Sequence, residues 1–106
     1  MRAFLTVQWL DIATSEVEAL LGYIRADNPA ASERIRDAIL DAVMKLAEFP
    51  AIGHATDEPG VFIKPLRRYP YLIFYTVVGE ELHVLHVRHG ARRHPGFQEE
   101  AREYSF

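Results

Sequence analysis

Residues 69–90 read YPYLIFYTVVGEELHVLHVRHG, and this stretch decides the fold. Pro70 cannot sit inside a helix, and it biases Tyr69 toward extended backbone. Residues 71–78 are β-branched or aromatic apart from Leu72, too short and too β-prone for a buried helix. Gly79-Glu80 then predicts a tight reversal, with glycine at the first central position as a type II′ turn prefers. A second strand over residues 82–88 follows, and Gly90 ends it. The first strand of this hairpin is apolar on both faces. It should therefore lie centrally in a sheet, with both faces covered and part of that cover coming from the upstream chain.

Working outward, residues 61–66 read as a strand with Pro65 near its end, which places it at an edge or makes it irregular there. Residues 67–70 form the turn into the hairpin, and GHATDEPG at 53–60 is loop by composition. Before it, Phe49-Pro50 stops a helix that starts at Asp27-Asn28-Pro29. Asn28 is a good N-cap, and Pro29 suits the first helical position, where its missing N–H is not needed. In this helix, predicted over 29–48, Ile35, Ile39, Ala42, Val43 and Leu46 make the buried stripe. An earlier helix is predicted over 12–26 from Ala13, Val17, Leu20, Leu21 and Ile24, with Asp11 as a cap candidate. Residues 2–9 alternate weakly and read as a first strand, and residues 97–103 carry a short helical possibility. The order is β-α-α-β-β-β: an α+β fold with an antiparallel sheet packed against an N-terminal helical hairpin. At 106 residues the chain reads as one domain, 1–106, large enough for a real core.

Composition narrows the function classes. An apolar fraction of 49% with 25% charged residues is ordinary for a soluble domain. No apolar run approaches the ~18 residues of a membrane helix, and the N-terminal run is too short for a signal-peptide core. With no cysteine there is no disulfide framework or thiol chemistry, which fits the cytoplasm. The net charge of −3 is unevenly spread. Residues 1–60 hold five basic side chains against ten acidic ones, whereas residues 61–106 hold seven against five and four of the five histidines. This is not the strongly basic body of a protein that lives on RNA or DNA, so direct nucleic-acid binding is not expected.

Most catalytic arrangements are excluded by geometry. On a regular strand His86 points away from His83 and His89, and those two lie roughly 20 Å apart, so one strand cannot assemble a metal site. Ser15, Ser32 and Ser105 do not sit on a strand-to-helix elbow, and no glycine-rich phosphate cradle exists. Tyr69, Tyr71 and Tyr75 read as sheet packing rather than base-stacking platforms. What remains is a group of cations at one end of the sheet: Arg67, Arg68, Arg88, Arg92 and Arg93, with His89 and His94 beside them. Solvation accounts for most surface arginines. Five near two neighbouring turns suit bidentate recognition of carboxylate or phosphate.

Five features in register now carry a resemblance: the order of elements, DNPAASERI at 27–35, L-x-x-F-P-x-x-G at 46–53, YPYLIFY and HVRHGARR. Together they resemble the RelE/ParE toxin superfamily over nearly the whole chain. The resemblance implies the toxin half of a bacterial type II toxin–antitoxin pair, neutralised by a small cognate antitoxin. Two activities follow from its two branches. The ParE-like branch implies inhibition of DNA gyrase by binding, without enzymatic activity or a cofactor. Arg67, Arg68, Arg88, Arg92 and Arg93 would then contact the target, and Leu20, Tyr23 and Ile24 the antitoxin. The RelE-like branch implies a ribosome-dependent mRNA endonuclease, with Lys64, Arg88, His89 and Tyr104 as the candidate catalytic set. Leu72 stands where the nuclease pattern has an arginine, and the acidic balance fits poorly with docking into ribosomal RNA; both favour the ParE-like branch. His86, where that branch more often shows arginine, departs from it. A third reading is a toxin-fold binding protein without toxicity.

Overall fold

A computed structural model describes residues 4–90 of the chain. Strand β1 (Thr6–Trp9) leads into helices α1 (Asp11–Asp27) and α2 (Pro29–Glu48). A single 3-10 turn, Pro50–Ile52, is followed by β2 (His54–Ala55), β3 (Phe62–Pro65), β4 (Tyr71–Val78) and β5 (Glu81–His89). The strands form one sheet in the order β1-β5-β4-β3-β2. The meander β3-β4-β5 is antiparallel as expected. Two features of the sheet go beyond the predicted order. First, β1 pairs with β5 in parallel, so the sheet is mixed; the two helices carry the chain to β2 at the opposite edge, and the three antiparallel steps from β2 to β5 bring β5 back beside β1 in its direction. Second, the loop at 53–60 contains the two-residue β2, which pairs with Phe62 and Ile63. Pro65 lies beyond the reach of β2 and pairs only with Leu72, a position where its lack of an N–H costs no ladder bond on the open side.

The helical hairpin forms where the punctuation predicted it. Asn28 serves both helices: its N–H donates to the Ile24 carbonyl at 2.7 Å, and its Oδ1 accepts from the Ala31 N–H at 3.1 Å. Ser32, buried one turn later, donates its hydroxyl to the Leu21 carbonyl at 3.0 Å. The DNPAASERI stretch is therefore a one-residue joint plus a side-chain tie between the helices. Asp11 is the first residue of α1 rather than its cap; Leu10 holds the cap position without a side-chain hydrogen bond. The acid still suits the first turn through the helix dipole.

Between β4 and β5, Gly79 has a φ of +60°, and no non-glycine residue among those described has positive φ. A positive φ at the first central position alone is what the type II′ turn requires. Leu72, Ile73, Phe74 and Tyr75 are all fully buried, so β4 is the central, two-faced strand the sequence implied. Its two faces belong to separate clusters. Ile73 and Tyr75 join Leu82, Val84, Val87 and the helices' Ala13, Leu21, Ile35, Ile39, Val43 and Leu46. Leu72 and Phe74 join Ile63, with Val61 and Leu85 packed alongside. The helical hairpin thus covers one face of β4; among the described residues the other face is covered from within the sheet region itself.

The FP-x-x-G stretch also has a physical cause. The Tyr75 hydroxyl donates to the Pro50 carbonyl at 2.7 Å and accepts from the Gly53 N–H at 3.0 Å. A Cβ at position 53 would fall on the Tyr75 ring edge and hydroxyl, so only glycine lets the two chains approach this closely.

Candidate functional site

Side chains directly opposite each other across a ladder share a face of the sheet, so register decides which candidate residues can meet. Arg88 pairs with Leu72, while Lys64 pairs with Ile73 and His89 with Tyr71. Lys64 and His89 are therefore on the helix-bearing face and Arg88 on the opposite one. Lys64, Arg88 and His89 do not converge on one surface of the sheet; Tyr104 lies outside the described residues.

A β-bulge changes the histidine pattern. Phe74 pairs with His86 but Tyr75 with Val84, which leaves Leu85 as the extra residue of β5. Below the bulge His83 pairs with Thr76, so His83 and His86 share a face and His89 takes the other. This corrects the regular-strand expectation, in which His86 stood apart from the other two. An inserted residue inverts the alternation of everything beyond it, and no period-2 reading anticipates that. The described residues contain no group of three or more His, Cys, Asp or Glu suited to hold a metal.

Beside the bulge lies a polar cluster that ties α1 to β5. Glu16 projects from α1 onto β5. Its Oε1 accepts from the Val87 N–H at 3.1 Å and lies 3.2 Å from His86 Nδ1. Its Oε2 accepts from Arg88 Nε at 2.9 Å. The His86 ring stands edge-to-face on Phe74, centroids 6.1 Å apart. The reason lies in the topology: β1 pairs with β5 only over residues 81–84, and Leu10 donates the last bond of that ladder to Val84. Beyond it the edge of β5 is open, and α1 lies alongside, so a carboxylate six residues into the helix completes the free N–H. Glu16 was not among the candidate residues read from the sequence. The available signal was its phase: residues 13, 16, 17, 20 and 24 lie along one side of α1.

The predicted cation group is partly assembled. Arg67 and Arg68 are exposed in the β3–β4 turn, and that turn meets the end of β5, where Gly90 donates to the Pro70 carbonyl at 2.8 Å. Tyr71 and His89 pack edge-to-face there, 5.5 Å between centroids. Arg67, Arg68 and Arg88 thus belong to one end of the sheet. Arg92, Arg93 and His94 lie outside the described residues. On the helical hairpin, Tyr23 is 78% exposed, while Leu20 and Ile24 are half-buried against the core. Tyr23 and Ile24 border a shallow depression with Ala26, Asp27 and Asn28 at the tip of the hairpin.

Comparison with known proteins agrees with this architecture. The model of the family described as the ParE toxin of the type II toxin–antitoxin system parDE matches residues 7–94. No curated protein sequence matches the chain. Among solved structures, a chromosomal ParDE toxin–antitoxin system from P. aeruginosa superposes with a TM-score of 0.73 at 20% identity, covering 81% of this chain and 96% of that one. The RelBE2 toxin–antitoxin complex from Mycobacterium tuberculosis superposes with a TM-score of 0.58, also at 20% identity, covering 82% and 99%. The fold is shared with both, and the second aligns less closely.

Proposed function

The chain belongs to the ParE toxin family of type II toxin–antitoxin systems, and from that membership we propose that it inhibits DNA gyrase by binding, and that a cognate antitoxin neutralises it. The observation that carries the binding reading over the nuclease one is the sheet register. Lys64 and His89 are on one face and Arg88 on the other. A general acid or base must lie within about 3 Å of the proton it moves, which side chains on opposite faces of a packed sheet do not achieve together. Recognition has no such requirement. Arg67 and Arg68 in a turn, with Arg88 at the adjoining strand end, can engage an acidic surface as separate contacts.

The test is expression without antitoxin, following DNA supercoiling and messenger cleavage side by side. Gyrase inhibition that persists in His89→Ala and Tyr104→Phe but fails when Arg67, Arg68 and Arg88 are neutralised is the expected result. Cleavage of translated mRNA with gyrase untouched would overturn the reading in favour of the nuclease branch. A wild type that shows neither gyrase inhibition nor messenger cleavage would point to a toxin-fold protein without toxicity.

A further inference from the structure

The Glu16–Arg88 pair has an unusual division of labour. Glu16 engages Arg88 through Nε at 2.9 Å, the inner nitrogen of the guanidinium, and not through the terminal pair. Among the described residues no partner is found for the Arg88 Nη atoms. The same carboxylate is itself fixed at its other oxygen by the Val87 N–H and by His86 Nδ1, so it cannot swing with the arginine. Both side chains are about three-quarters buried, at 23% exposure each, so the pair is screened less than an exposed one. An arginine held in this way keeps its charge and presents its two Nη groups, side by side, as a fork. That edge matches the two oxygens of a carboxylate.

We infer that Glu16 is a positioning residue: it orients Arg88 so that its Nη fork receives a carboxylate on the surface of the target protein. The inference rests on the proposed binding function and names the chemistry of one of its contacts. A protein carboxylate is favoured over a nucleic-acid phosphate because the chain has a net charge of −3 and Glu16 sits against the arginine, leaving no dense positive field to hold a polyanion.

The test uses the full-length toxin, purified gyrase holoenzyme and four variants: Arg88→Ala, Arg88→Lys, Glu16→Gln and the double variant Glu16→Gln/Arg88→Ala. Glutamine keeps a carbonyl for the Val87 N–H but turns a donor toward Arg88 Nε, so it preserves the edge contact and releases the arginine. Lysine keeps the charge but replaces the fork by a single ammonium, which cannot offer two parallel N–H groups to a carboxylate while holding Glu16. Thermal melts confirm that each variant is folded at the assay temperature. Glu16→Gln and Arg88→Lys are each expected to weaken gyrase binding roughly 10–100-fold, the loss of a charged hydrogen-bonded contact. The double variant is expected to bind no worse than Arg88→Ala alone, because the acid acts only through the arginine. Wild-type affinity in Glu16→Gln or Arg88→Lys would overturn the inference while leaving the function standing. So would a Glu16→Gln loss that adds in full to Arg88→Ala, or losses read on naked DNA instead of gyrase. A wild-type protein that leaves gyrase unaffected would remove both.

Discussion

Tyr75 shows how much of this molecule hangs on single contacts. Its ring is fully buried, and its hydroxyl closes the 3-10 turn by bonding both the Pro50 carbonyl and the Gly53 N–H. Phenylalanine would keep the packing and strip both backbone groups of their partner. Tyr75→Phe is expected to cost about 1–3 kcal/mol in urea denaturation, the range for a buried polar group left unsatisfied. Burial pushes the Tyr75 phenol above its ordinary value of 10.0, against a smaller lowering from the Gly53 hydrogen bond. The folded state therefore holds this proton more tightly than the unfolded chain does. Stability from this group is complete below about pH 10 and falls as pH rises from there through the raised folded value. Melting temperatures measured from pH 8 to 11 should decline at the alkaline end, with a shallower decline in Tyr75→Phe.

At the scale of elements, the helical hairpin depends on its joint and on one buried stripe. Asn28→Ala removes the cap acceptor for Ala31, so a loss of about 1 kcal/mol is expected, read as a shift of the denaturation midpoint without a change in slope. Ile39, 1% exposed, packs in the cluster between α2 and the sheet. Ile39→Ala is expected to cost about 2–5 kcal/mol, enough to unfold a marginal domain; a wild-type midpoint would refute the packing described for α2. The sheet meets a different problem, its open edges. Glu16 answers it for the far half of β5, and Leu5 answers it beside β1 by donating to the Ala47 carbonyl of α2 at 2.9 Å.

For the whole molecule, the proposed partnership predicts surface left for another chain. Tyr23 stands 78% exposed beside Ile24 at the hairpin tip, and Ile12 and Met44 are also more than half exposed. An amphipathic antitoxin segment laid against the helical hairpin would bury apolar area that the domain alone leaves in water. Co-expression with the antitoxin is expected to give a stable complex burying more than ~1,000 Å² and melting above the free toxin, by mass action. Tyr23→Asp should weaken that complex without lowering the melting point of the toxin itself. A toxin that stays monomeric in light scattering with its antitoxin present would refute the proposed pairing.

The element order, both helices and the central hairpin were legible because each rests on local signals: Asn28-Pro29 at a helix start, Pro50 after a helix end, and Gly79 in a turn. Helical periodicity then named the buried stripe of α2, including Ile39 and Leu46, and the unbroken apolar run marked β4 as central without saying which of its faces the helices cover. The parallel pairing of β1 was not legible, since it depends on which edge the helices deliver the chain to and on the antiparallel steps that follow. Nor was the bulge at Leu85, which carries no glycine and no proline and yet reverses the facing of every side chain after it. The phase of Glu16 put it on the inner side of α1, but its contact was not legible, because its partners are 70 to 72 residues away. Local chemistry was thus determined by the chain itself. Which charges face one another was decided by tertiary structure, because a single inserted residue and the end of one short strand set the geometry of that edge.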